Sequence, residues 1–511
     1  MDPADPHFFA AARVPVLTAA EMRAWDEQAI NAYGIPEPVL MESAGRAAAA
    51  VVQRMYPAGR VVAVAGSGNN GGDALVAART LWMWGRDVDV VYVGRSPLNE
   101  ALLHGWDLYP RRAEEALPGA AVLIDGLLGT GASGPPTGAY ADAIAAMNAA
   151  GCPIVALDGP SGGDLTTGAT PGDAIRAAVT VTFGAPKRGL LLFPGRERAG
   201  RIVAVEIGFS RLADDGASAR LITPAWAHAV LPSVPPNAHK GTMGKVSIVA
   251  GRRGMAGAAV LSGLGALRAG AGMAALVSPA ANREILQTAL PEALYIDRDE
   301  LDPDFLAGSK TVVAGPGMGT DDEALEVLRT IAKQEGIAVV LDADAVTMLA
   351  ANPDLRDAFS GPLVLTPHPG EMSRLLGIPI DQVTADPFGA AAQAAERFAC
   401  TVLLKGTPSL VATRGRETLA GVAGHSGLAT GGNGDVLSGV VGAFLARGME
   451  PWDAAGAALW YAGRAAELAG RGRGLLPRDV ADALPAALLE PPARESALDL
   501  PGIVLDLPPA R

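Results

Sequence analysis

Two adjacent asparagines and an aspartate lie in a glycine-rich turn near the start of the chain, in the run GSGNNGGDA at residues 66–74. The run follows the apolar segment RVVAVAG and precedes LVAARTLWMWG, a pattern that predicts a strand, a turn and a helix. Such a turn presents free backbone N–H groups at the positive end of a helix and can bind an anion. The simpler alternative is a tight turn with a helix cap, and the spacing matches neither the dinucleotide-binding fingerprint nor a Walker loop.

Three more polar residues of the first half follow apolar runs: Asp125 ends VLID, Asp158 ends IVALD and Lys187 follows VTVTFGAP. The carboxyl ends of parallel strands line one crevice, so we expect these side chains to face a common ligand site. Ser161, in the loop after Asp158, adds a hydroxyl oxygen. Acidic, amide and hydroxyl oxygens could bind a monovalent cation there, and Asp158 and Lys187 could exchange protons.

The second half carries the run LATGGNGDVLSGVVGAFL, a glycine-rich turn that enters a long apolar helix. Backbone N–H groups at such a helix start form an anion hole for phosphate charge, and Asp435 lies one residue inside it. At that place an aspartate can take a proton from a hydroxyl group that attacks a phosphoryl group. A glycine-rich cap with a solvated aspartate is the simpler alternative.

This turn is accompanied by four further motifs: GPGMGTD (315–321), LDADAV with Asp342 and Asp344, TPHPGE with His368 and Glu371, and KGTPS (405–409). The two aspartates of LDADAV end a predicted strand and could engage Mg²⁺ indirectly. His368, between two prolines, either lines a site or is structural. Lys405 and the backbone of KGTPS could cover a nucleotide.

Short apolar runs alternate with helical segments through both halves, which is typical of parallel strands joined by right-handed crossovers. The predicted fold class is α/β: a Rossmann-like three-layer sandwich followed by a second α/β domain. A segment rich in Pro, Ser and Asp, between residues 210 and 238, indicates the junction. Thr18 and Glu21 form a capping-box pattern for a first helix, and the Pro-rich residues from about 490 are expected to form a loosely ordered tail.

The composition narrows the class of protein. Of the 511 residues, 49% are hydrophobic and 19% charged, which suits two α/β domains. A net charge of −13, without a basic block, disfavours nucleic acid as a partner. The chain shows neither a signal-peptide pattern nor a membrane span, so we expect a cytoplasmic protein without a membrane partner. Cys152 and Cys400 are expected to be reduced packing residues, and the Ala- and Gly-rich helices favour a homo-oligomer.

The motifs GNNGGD, DGLLGTG and DGPSG together resemble the epimerase domain of the NAD(P)H-hydrate repair family over most of residues 15–210. The resemblance implies that residues 1–214 interconvert the R and S epimers of NAD(P)H hydrate. It implies that Asn70, Asp125 and Ser161 bind K⁺ and that Asp158 acts in proton transfer, for which Lys187 is the candidate partner. The residues expected to contact the hydrate are Asn69, Asn70, Gly71, Gly72, Asp73, Gly129, Thr130, Gly131, Ala132, Ser133, Gly134, Pro135 and Asp158.

The GGNGD turn of the second half, residues 215–511, resembles the ribokinase-like fold, in which an aspartate is the base. With HKGTMGK, GMAGAA, GPGMG, LDADA, TPHPGEM and LLKG, it resembles the ADP-dependent NAD(P)H-hydrate dehydratase over roughly residues 222–490. The resemblance implies that the hydrate is lined by Ala258, Gly317, His368 and Asp435, the last as catalytic base. The adenine nucleotide, ADP with Mg²⁺, would be bound by Lys405, Gly406, Thr407, Pro408, Ser409 and Gly434.

Together the two resemblances imply one bifunctional repair enzyme. The first domain would epimerise the hydrate, and the second would dehydrate the S epimer to NAD(P)H with ADP, giving AMP and phosphate. Two alternatives stay open at this point. One is a kinase for a small hydroxyl-bearing vitamin precursor, fused to a ligand-binding domain. The other is a first half that only binds a nucleotide or a partner.

Overall fold

The computed structural model describes residues 13–94, 96–132, 134–209, 216–491 and 498–510. These residues form two compact units. Unit 1 contains the described residues up to Arg220 together with residues 498–510, and unit 2 contains those from Leu221 to residue 491. The sequence placed the C-terminal tail in the second domain, and the structure corrects this expectation, since residues 498–510 belong to unit 1.

Unit 1 consists of strands and helices that alternate along most of its length. In chain order they are β1 (Val14–Pro15), α1 (Ala19–Asn31), α2 (Glu37–Met55), β2 (Val61–Ala65), α3 (Asn69–Met83), β3 (Val88–Tyr92), α4 (Pro97–Ala101), α5 (Ala113–Ala116), β4 (Val122–Gly126), α6 (Ala139–Ala149), β5 (Ile154–Leu157), β6 (Val179–Phe183), a 3₁₀ turn (Arg188–Leu190), α7 (Gly195–Ala199) and β7 (Arg201–Val205). Strand β8 (Ala219–Leu221) crosses the boundary between the units, and strand β18 (Ile503–Leu507) lies near the C-terminus.

The sheet of unit 1 runs in the order β3-β2-β4-β5-β6-β7-β18 and is parallel from β3 to β7. Successive residues of β2 pack into different cores: Val61, Ala63 and Ala65 join one cluster, whereas Val62 and Val64 join the other. The first cluster contains side chains of α1, α2 and α3, and the second contains side chains of α5 and α6. The sheet is therefore covered on both faces, which confirms the three-layer sandwich.

The C-terminal residues are more ordered than their Pro-rich composition predicts. Strand β18 pairs antiparallel with β7, with Leu507 opposite Ile202. Arg201 donates two hydrogen bonds to the carboxylate of Asp506, at 2.6 and 2.5 Å. Instead of forming a loose tail, this segment covers the otherwise open edge of the unit 1 sheet.

Unit 2 has the same alternation of strands and helices. Its elements are α8 (Pro224–Val230), β9 (Lys245–Val249), α9 (Ala256–Arg268), β10 (Met273–Ser278), α10 (Arg283–Ala289), β11 (Leu294–Asp297), α11 (Pro303–Ala307), β12 (Thr311–Ala314), α12 (Asp322–Ala332), β13 (Ala338–Leu341), α13 (Ala343–Ala351), β14 (Leu363–Leu365), α14 (Pro369–Leu376), α15 (Ile380–Ala385), α16 (Pro387–Phe398), β15 (Thr401–Leu404), β16 (Ser409–Ala412), β17 (Thr418–Gly421), α17 (Asn433–Ala446), α18 (Pro451–Ala469) and α19 (Pro477–Leu489). Short 3₁₀ turns occupy Ala280–Asn282, Arg298–Glu300, Pro353–Ala358, Ser426–Ala429 and Gly472–Gly474.

Within unit 2 the strand order is β11-β10-β9-β12-β13-β14-β15-β16-β17. The pairs from β11 to β15 are parallel, and the last two pairs are antiparallel. Helices α9, α17, α18 and α19 pack on one face in a single apolar core. The buried strands are almost wholly apolar, as expected for a parallel sheet enclosed by helices.

The capping box and the cysteines are two local features that the sequence predicted. The capping box is confirmed, since Thr18 Oγ1 accepts from the N–H of Glu21 at 3.1 Å and Glu21 Oε2 accepts from the N–H of Thr18 at 2.7 Å. Cys152 and Cys400 are free thiols, and Cys400 is buried, as expected for packing residues. None of the helices in the part of the chain that the structure describes is both long and apolar enough to cross a membrane.

Candidate functional site

The sheet of unit 1 has a switch point between β2 and β4, because β3 extends the sheet on one side and β4 begins its growth on the other. In open α/β sheets, ligands bind at the carboxyl ends of the strands at such a point. Asn70 lies in the first turn of α3, just after β2, and Asp125 lies in β4. Strand order therefore brings two of the predicted cation ligands to one place.

Asp125 and Ser161 are fully buried and bonded to each other. The backbone N–H of Ser161 donates to Asp125 Oδ2 at 2.9 Å, and the Ser161 hydroxyl donates to Asp125 Oδ1 at 2.6 Å. Burial raises the pKa of Asp125 to about 6, although these hydrogen bonds act in the opposite direction. A nearby cation would favour the ionised form of this carboxyl.

Asn70 completes this cluster through the backbone of Leu128. Its Nδ2 donates to the Leu128 carbonyl at 2.9 Å, and the Ser161 hydroxyl lies 3.3 Å from the same oxygen. The Oδ1 atom of Asn70 is buried and has no hydrogen-bond partner among the described residues. An orphaned amide oxygen in one cluster with a buried carboxylate and a hydroxyl is a donor set that suits a hard cation.

Asp158 and Lys187 form a buried ion pair beside this cluster. Lys187 Nζ lies 2.5 Å from Asp158 Oδ1 and also donates to Thr182 Oγ1 at 3.1 Å and to the Phe183 carbonyl at 2.8 Å. The Lys187 side chain is completely inaccessible to solvent. Asp158 has a φ of 64°, which a non-glycine residue rarely adopts outside functional or strained positions.

The start of the chain holds Lys187 in place. The N–H of Leu17 donates to the Pro186 carbonyl at 3.0 Å, and the N–H of Arg188 donates to the Leu17 carbonyl at 2.8 Å. Leu17 directly precedes Thr18, the cap of α1. The capping box therefore fixes the entry of α1 at the point where the chain contacts the lysine segment.

Two more carboxylates share the surroundings of this pair. Burial raises the pKa of Asp26, in α1, to about 6, and it raises the pKa of Asp73, in α3, well above its usual value. Asp158 adds to both shifts, whereas Lys187 opposes them. Asp73 belonged to the predicted set, but Asp26 did not, because nothing in its helical context distinguishes it from a solvated acid.

The glycines of the GNNGGD turn have a packing role. A Cβ on Gly71 would lie 2.0 Å from the Gly66 carbonyl oxygen, and one on Gly72 would lie 2.6 Å from Met41 Sδ. Asn69 begins α3 and donates to Glu37 Oε1 at 2.7 Å. The GNNGGD run therefore forms a tight turn that starts a helix, as in the simpler alternative. It also carries the buried side chains of Asn70 and Asp73.

The second predicted substrate loop follows β4. Gly129 packs against Asn70, since a Cβ there would lie 3.2 Å from Asn70 Cβ. Thr130, Gly131 and Ala132 line a cleft of about 410 Å³. Gly134 has a φ of 78°, Pro135 lies near Gly172, and Ser133 lies outside the described residues.

Unit 2 has a switch point of its own, between β9 and β12. The loops that follow these two strands carry the GMAGAA and GPGMG motifs, and the structure brings them together. A Cβ on Gly317 would lie 3.2 Å from Ala258 Cβ, and the φ of Gly317 is 56°. Asp344 supports this loop by accepting from the N–H of Gly319 at 2.8 Å. Ala258 and Gly317 therefore lie against each other, and their contact with the hydrate stays a prediction.

Asp435 lies in the first turn of α17, after Gly432 in the left-handed conformation. Burial raises the pKa of this half-buried carboxyl to about 7, Asp342 and Asp344 contribute to the rise, and Lys405 opposes it. A carboxyl with such a pKa can be deprotonated near neutral pH and is basic enough to accept a proton from a hydroxyl group.

Lys405 binds a carboxylate at this site. Its Nζ lies 2.7 Å from Asp342 Oδ1 and 4.0 Å from Glu371 Oε2, and Asp342 is almost fully buried. A Cβ on Gly434 would lie 3.3 Å from the same Nζ, so the pair is located under the start of α17. The sequence assigned Lys405 to the nucleotide without recognising Asp342 as its partner.

His368 is the N-cap of α14. Its Nδ1 accepts from the N–H groups of Gly370 at 3.0 Å and Glu371 at 3.3 Å, while its Nε2 lies 3.2 Å from Glu371 Oε1. An accepting Nδ1 leaves the proton on Nε2, where it can be donated to Glu371. His368 therefore has a structural role, and its half-exposed ring also lies in the carboxylate network that reaches Lys405.

The rest of the KGTPS run forms a turn before β16. The hydroxyl of Ser409 donates to the Gly406 carbonyl at 2.9 Å and accepts from the N–H of Gly406 at 3.1 Å. The bond between Thr407 and Pro408 is cis. Gly406 and Thr407 are exposed beyond Lys405, and their contacts with a nucleotide stay a prediction.

Together the two sites define an α/β enzyme with a buried lysine–aspartate centre in one unit and a phosphoryl-transfer type of centre in the other. The family model described as NAD(P)H-hydrate dehydratase matches residues 246–486, and that of the YjeF-related protein N-terminus matches residues 37–189. The chain belongs to the family of bifunctional NAD(P)H-hydrate repair enzymes, since it aligns with its members over nearly their full length.

Two relatives illustrate this similarity. The bifunctional NAD(P)H-hydrate repair enzyme of Moorella thermoacetica is 34% identical over 93% of this chain and 96% of its own. That of Gloeobacter violaceus is 39% identical over 86% of this chain and 91% of its own. The solved structure of the ADP/ATP-dependent NAD(P)H-hydrate dehydratase from Bacillus subtilis, co-crystallised with ATP and Mg²⁺, is 27% identical and covers 52% of this chain and 96% of its own, with a TM-score of 0.47.

Proposed function

We propose that unit 1 interconverts the R and S epimers of NAD(P)H hydrate and that unit 2 dehydrates the S epimer to NAD(P)H, with ADP giving AMP and phosphate. The main support is that this chain, a member of the repair family, contains both the Asp158–Lys187 ion pair and Asp435 at the start of a helix. The cytoplasmic location and the self-association expected from the sequence remain predictions.

In unit 1, Asp158 is the candidate proton-transfer residue for the epimerisation of the hydrated nicotinamide ring. Its carboxylate is held by Lys187, whose other donors are taken up by Thr182 and Phe183, so the acceptor position is fixed. Such fixation favours proton transfer, since reacting groups must be within hydrogen-bond distance in a defined geometry.

K⁺ is the proposed cation of unit 1, held by Asn70, Asp125 and Ser161. When bound, it would neutralise the buried carboxylate and supply a partner for Asn70 Oδ1. These residues lie on the segments after β2, at the end of β4 and after β5. Holding them in place therefore also holds the loops proposed to contact the hydrate.

In unit 2, Asp435 is the proposed base that takes the proton of the C6 hydroxyl as this oxygen attacks ADP. The N–H groups at the start of α17 stabilise the charge of the transferred phosphoryl group. Phosphorylation converts a poor leaving group into a good one, so phosphate can leave C6 while C5 loses a proton and the ring double bond is restored. Ala258, Gly317 and His368 are proposed to line the hydrate.

Mg²⁺ is proposed to enter unit 2 with the nucleotide. Among the described residues no group of three or more His, Cys, Asp or Glu side chains is arranged to hold a metal ion. Mg²⁺ commonly binds through substrate phosphates with one or two carboxylates and several waters, and Asp342 and Asp344 fit that mode. Bound in this way, it would neutralise phosphate charge. Lys405, Gly406, Thr407, Pro408, Ser409 and Gly434 are the proposed nucleotide contacts.

The test mixes the full chain with a racemic hydrate of NADH, ADP, Mg²⁺ and K⁺ and follows the near-ultraviolet absorbance of NADH. We expect full recovery by the wild type, recovery of about half with Asp158→Ala, where only the S epimer is consumed, and none with Asp435→Ala.

Each alternative gives a different result. A kinase for a vitamin precursor would restore no absorbance from the hydrate, although it would still bind ADP or ATP. A silent unit 1 would stop the wild type at half recovery, and Asp158→Ala would then make no difference.

A further inference from the structure

The cleft of about 410 Å³ in unit 1 extends beyond the residues that the sequence assigned to the hydrate. Its far wall is formed by Arg23 of α1 and by Asp164 and Thr166, which follow the Asp158 loop. The volume lies within the range of roughly 300–1,000 Å³ typical of small-molecule sites. One loop of the cleft follows Asp125 of the proposed cation site, and another follows Asp158, the proposed proton-transfer residue.

Arg23 is the cation of this cleft. Its Nη1 donates to the Thr130 carbonyl at 3.2 Å, which holds the exposed guanidinium against the predicted substrate loop. No carboxylate of the described residues lies within ion-pair distance of it. A guanidinium that is anchored by one nitrogen keeps its other donors for an anion, and its planar geometry matches both phosphate and carboxylate groups.

Asp164 is the carboxylate of the cleft. Its Oδ1 accepts from the N–H groups of Thr166 at 2.8 Å and Thr167 at 2.7 Å, so the side chain has a fixed orientation. Thr166 in turn accepts from the N–H of Ala19 through its hydroxyl at 3.0 Å, which ties the loop to α1. A positioned carboxylate is the usual acceptor for ribose hydroxyls in nucleotide sites.

We propose that this cleft binds the AMP half of the dinucleotide, with Arg23 bound to a phosphate group and Asp164 bound to a ribose hydroxyl. The inference rests on the proposed epimerase function, because the hydrated ring must then lie at Asp158 and Lys187. The dinucleotide is long and has a second, anionic half that has to be bound elsewhere on unit 1. The cleft offers one cation and one carboxylate for it, on loops shared with the ring site.

The experiment follows conversion of the R hydrates of NADH and NADPH to the S epimers by chromatography, with the full chain and without ADP, so that unit 2 has no phosphoryl donor. Arg23→Ala is expected to raise KM about 10-fold or more with kcat nearly unchanged, because a charge-assisted hydrogen bond to a non-reacting group is lost. Arg23→Lys should recover part of this loss, and Asp164→Asn should raise KM about 5-fold. Arg46→Ala, an exposed arginine on α2, is the matched control and should change neither constant.

The two substrates identify the phosphate. An equal rise in KM for both hydrates supports a contact with the pyrophosphate, and a rise limited to the NADPH hydrate supports a contact with its 2′-phosphate. Unchanged KM values in Arg23→Ala overturn the inference while the wild-type rate leaves the proposed function standing. A wild type that does not epimerise either hydrate overturns the proposed function of unit 1 instead.

Discussion

Lys187 of unit 1 and Lys405 of unit 2 each form an ion pair with an aspartate, at 2.5 Å and 2.7 Å. The two pairs differ in whether the paired aspartate is itself the proposed reacting group. In unit 1 the paired residue, Asp158, is itself the proposed proton-transfer group. In unit 2 the paired residue is Asp342, and the proposed base, Asp435, lies beside the pair. Lys187 fixes the reacting carboxylate of Asp158 by a direct bond, whereas the Lys405–Asp342 pair affects Asp435 only through the electrostatic field around it.

Each pair contains one wholly or almost wholly buried charge, which needs a partner of opposite sign. In unit 1 the buried member is Lys187, beside Asp158 with its side chain 12% exposed, and in unit 2 it is Asp342, beside Lys405 with its side chain 21% exposed. Asp435 has Asp342 and Asp344 as neighbours, and with burial they raise its pKa to about 7. A group that waits for a hydroxyl proton benefits from a pKa near the working pH.

The largest effect is expected from Lys187→Met. Removing the cation leaves Asp158 as a buried, uncompensated carboxylate, so the free energy of unfolding of unit 1 should fall by about 3–5 kcal/mol. Epimerisation should be lost as well. Hydrogen exchange of the β5 and β6 amides measures the stability of unit 1 separately from that of unit 2.

A double variant separates charge from function in that experiment. Lys187→Met combined with Asp158→Asn removes both charges, so it should regain much of the stability without regaining activity. Retention of epimerisation by Lys187→Met would contradict the role given to the pair.

The next effect concerns the pH dependence of dehydration. Asp435 acts as a base only when ionised, so kcat/KM should rise with pH and level off above about 7. Lys405 lowers the pKa of Asp435, and Lys405→Met should therefore move this limb about one unit higher. Asp342 raises that pKa, so Asp342→Asn should move the limb in the opposite direction.

The matched control is Lys310→Met, which removes an exposed lysine of unit 2 and should leave the pH profile unchanged. If Lys405→Met and Asp342→Asn shifted the limb the same way, the electrostatic account of Asp435 would be wrong. Rates are measured with the S hydrate alone, so that unit 1 does not contribute.

The motifs predicted many of the site residues but few of the side-chain partners that hold them in place. Asn70, Asp125 and Ser161 were recognisable because each lies at or after a strand end, and parallel strands bring such ends together. The pairing of Lys405 with Asp342 was not, because the motifs place both residues at strand ends without specifying which side chains bond to each other, and this depends on the packing of the whole unit. Asp26 was missed because it lies in a helix, α1, whose sequence does not show that this acid is buried.

The tail shows a second limit of sequence reasoning. Its proline content suggested a loose segment, yet IVLDL contains the apolar residues that a strand needs, and β7 offered an unpaired edge. Edge pairing over about three hundred residues of sequence separation leaves no local signal. The capping box at Thr18, by contrast, is local and was predicted correctly.

A smaller effect is expected from K⁺ on unit 1. Burial raises the pKa of Asp125 to about 6, so the neutral form favours the folded state, and this contribution is lost as pH rises through about 6. K⁺ binds the ionised form and should restore it, by about 2.7 kcal/mol at a concentration of 100 times Kd. At about pH 5 roughly one-tenth of Asp125 is ionised, so the K⁺-dependent stabilisation of unit 1, read from amide protection, should be about half of that at about pH 8.

Asp125→Asn provides the control, because it removes the charge that attracts the cation. Its unit 1 should be insensitive to K⁺ at both pH values, and Li⁺ at the same ionic strength should not replace K⁺ in the wild type. A K⁺ effect that survives in Asp125→Asn would locate the cation elsewhere.

The smallest effect should come from Asp506→Asn, in the C-terminal strand. Arg201 binds both oxygens of Asp506, and the amide can replace only one of these acceptors, so unit 1 should lose about 1 kcal/mol. Exchange of the β7 amides should accelerate about 5-fold, while the amides of unit 2 stay unchanged. Asp499→Asn changes an exposed acid of the same segment and should have no such effect. Equal protection of β7 in both variants would mean that strand pairing alone, without this ion pair, holds the C-terminal segment on unit 1.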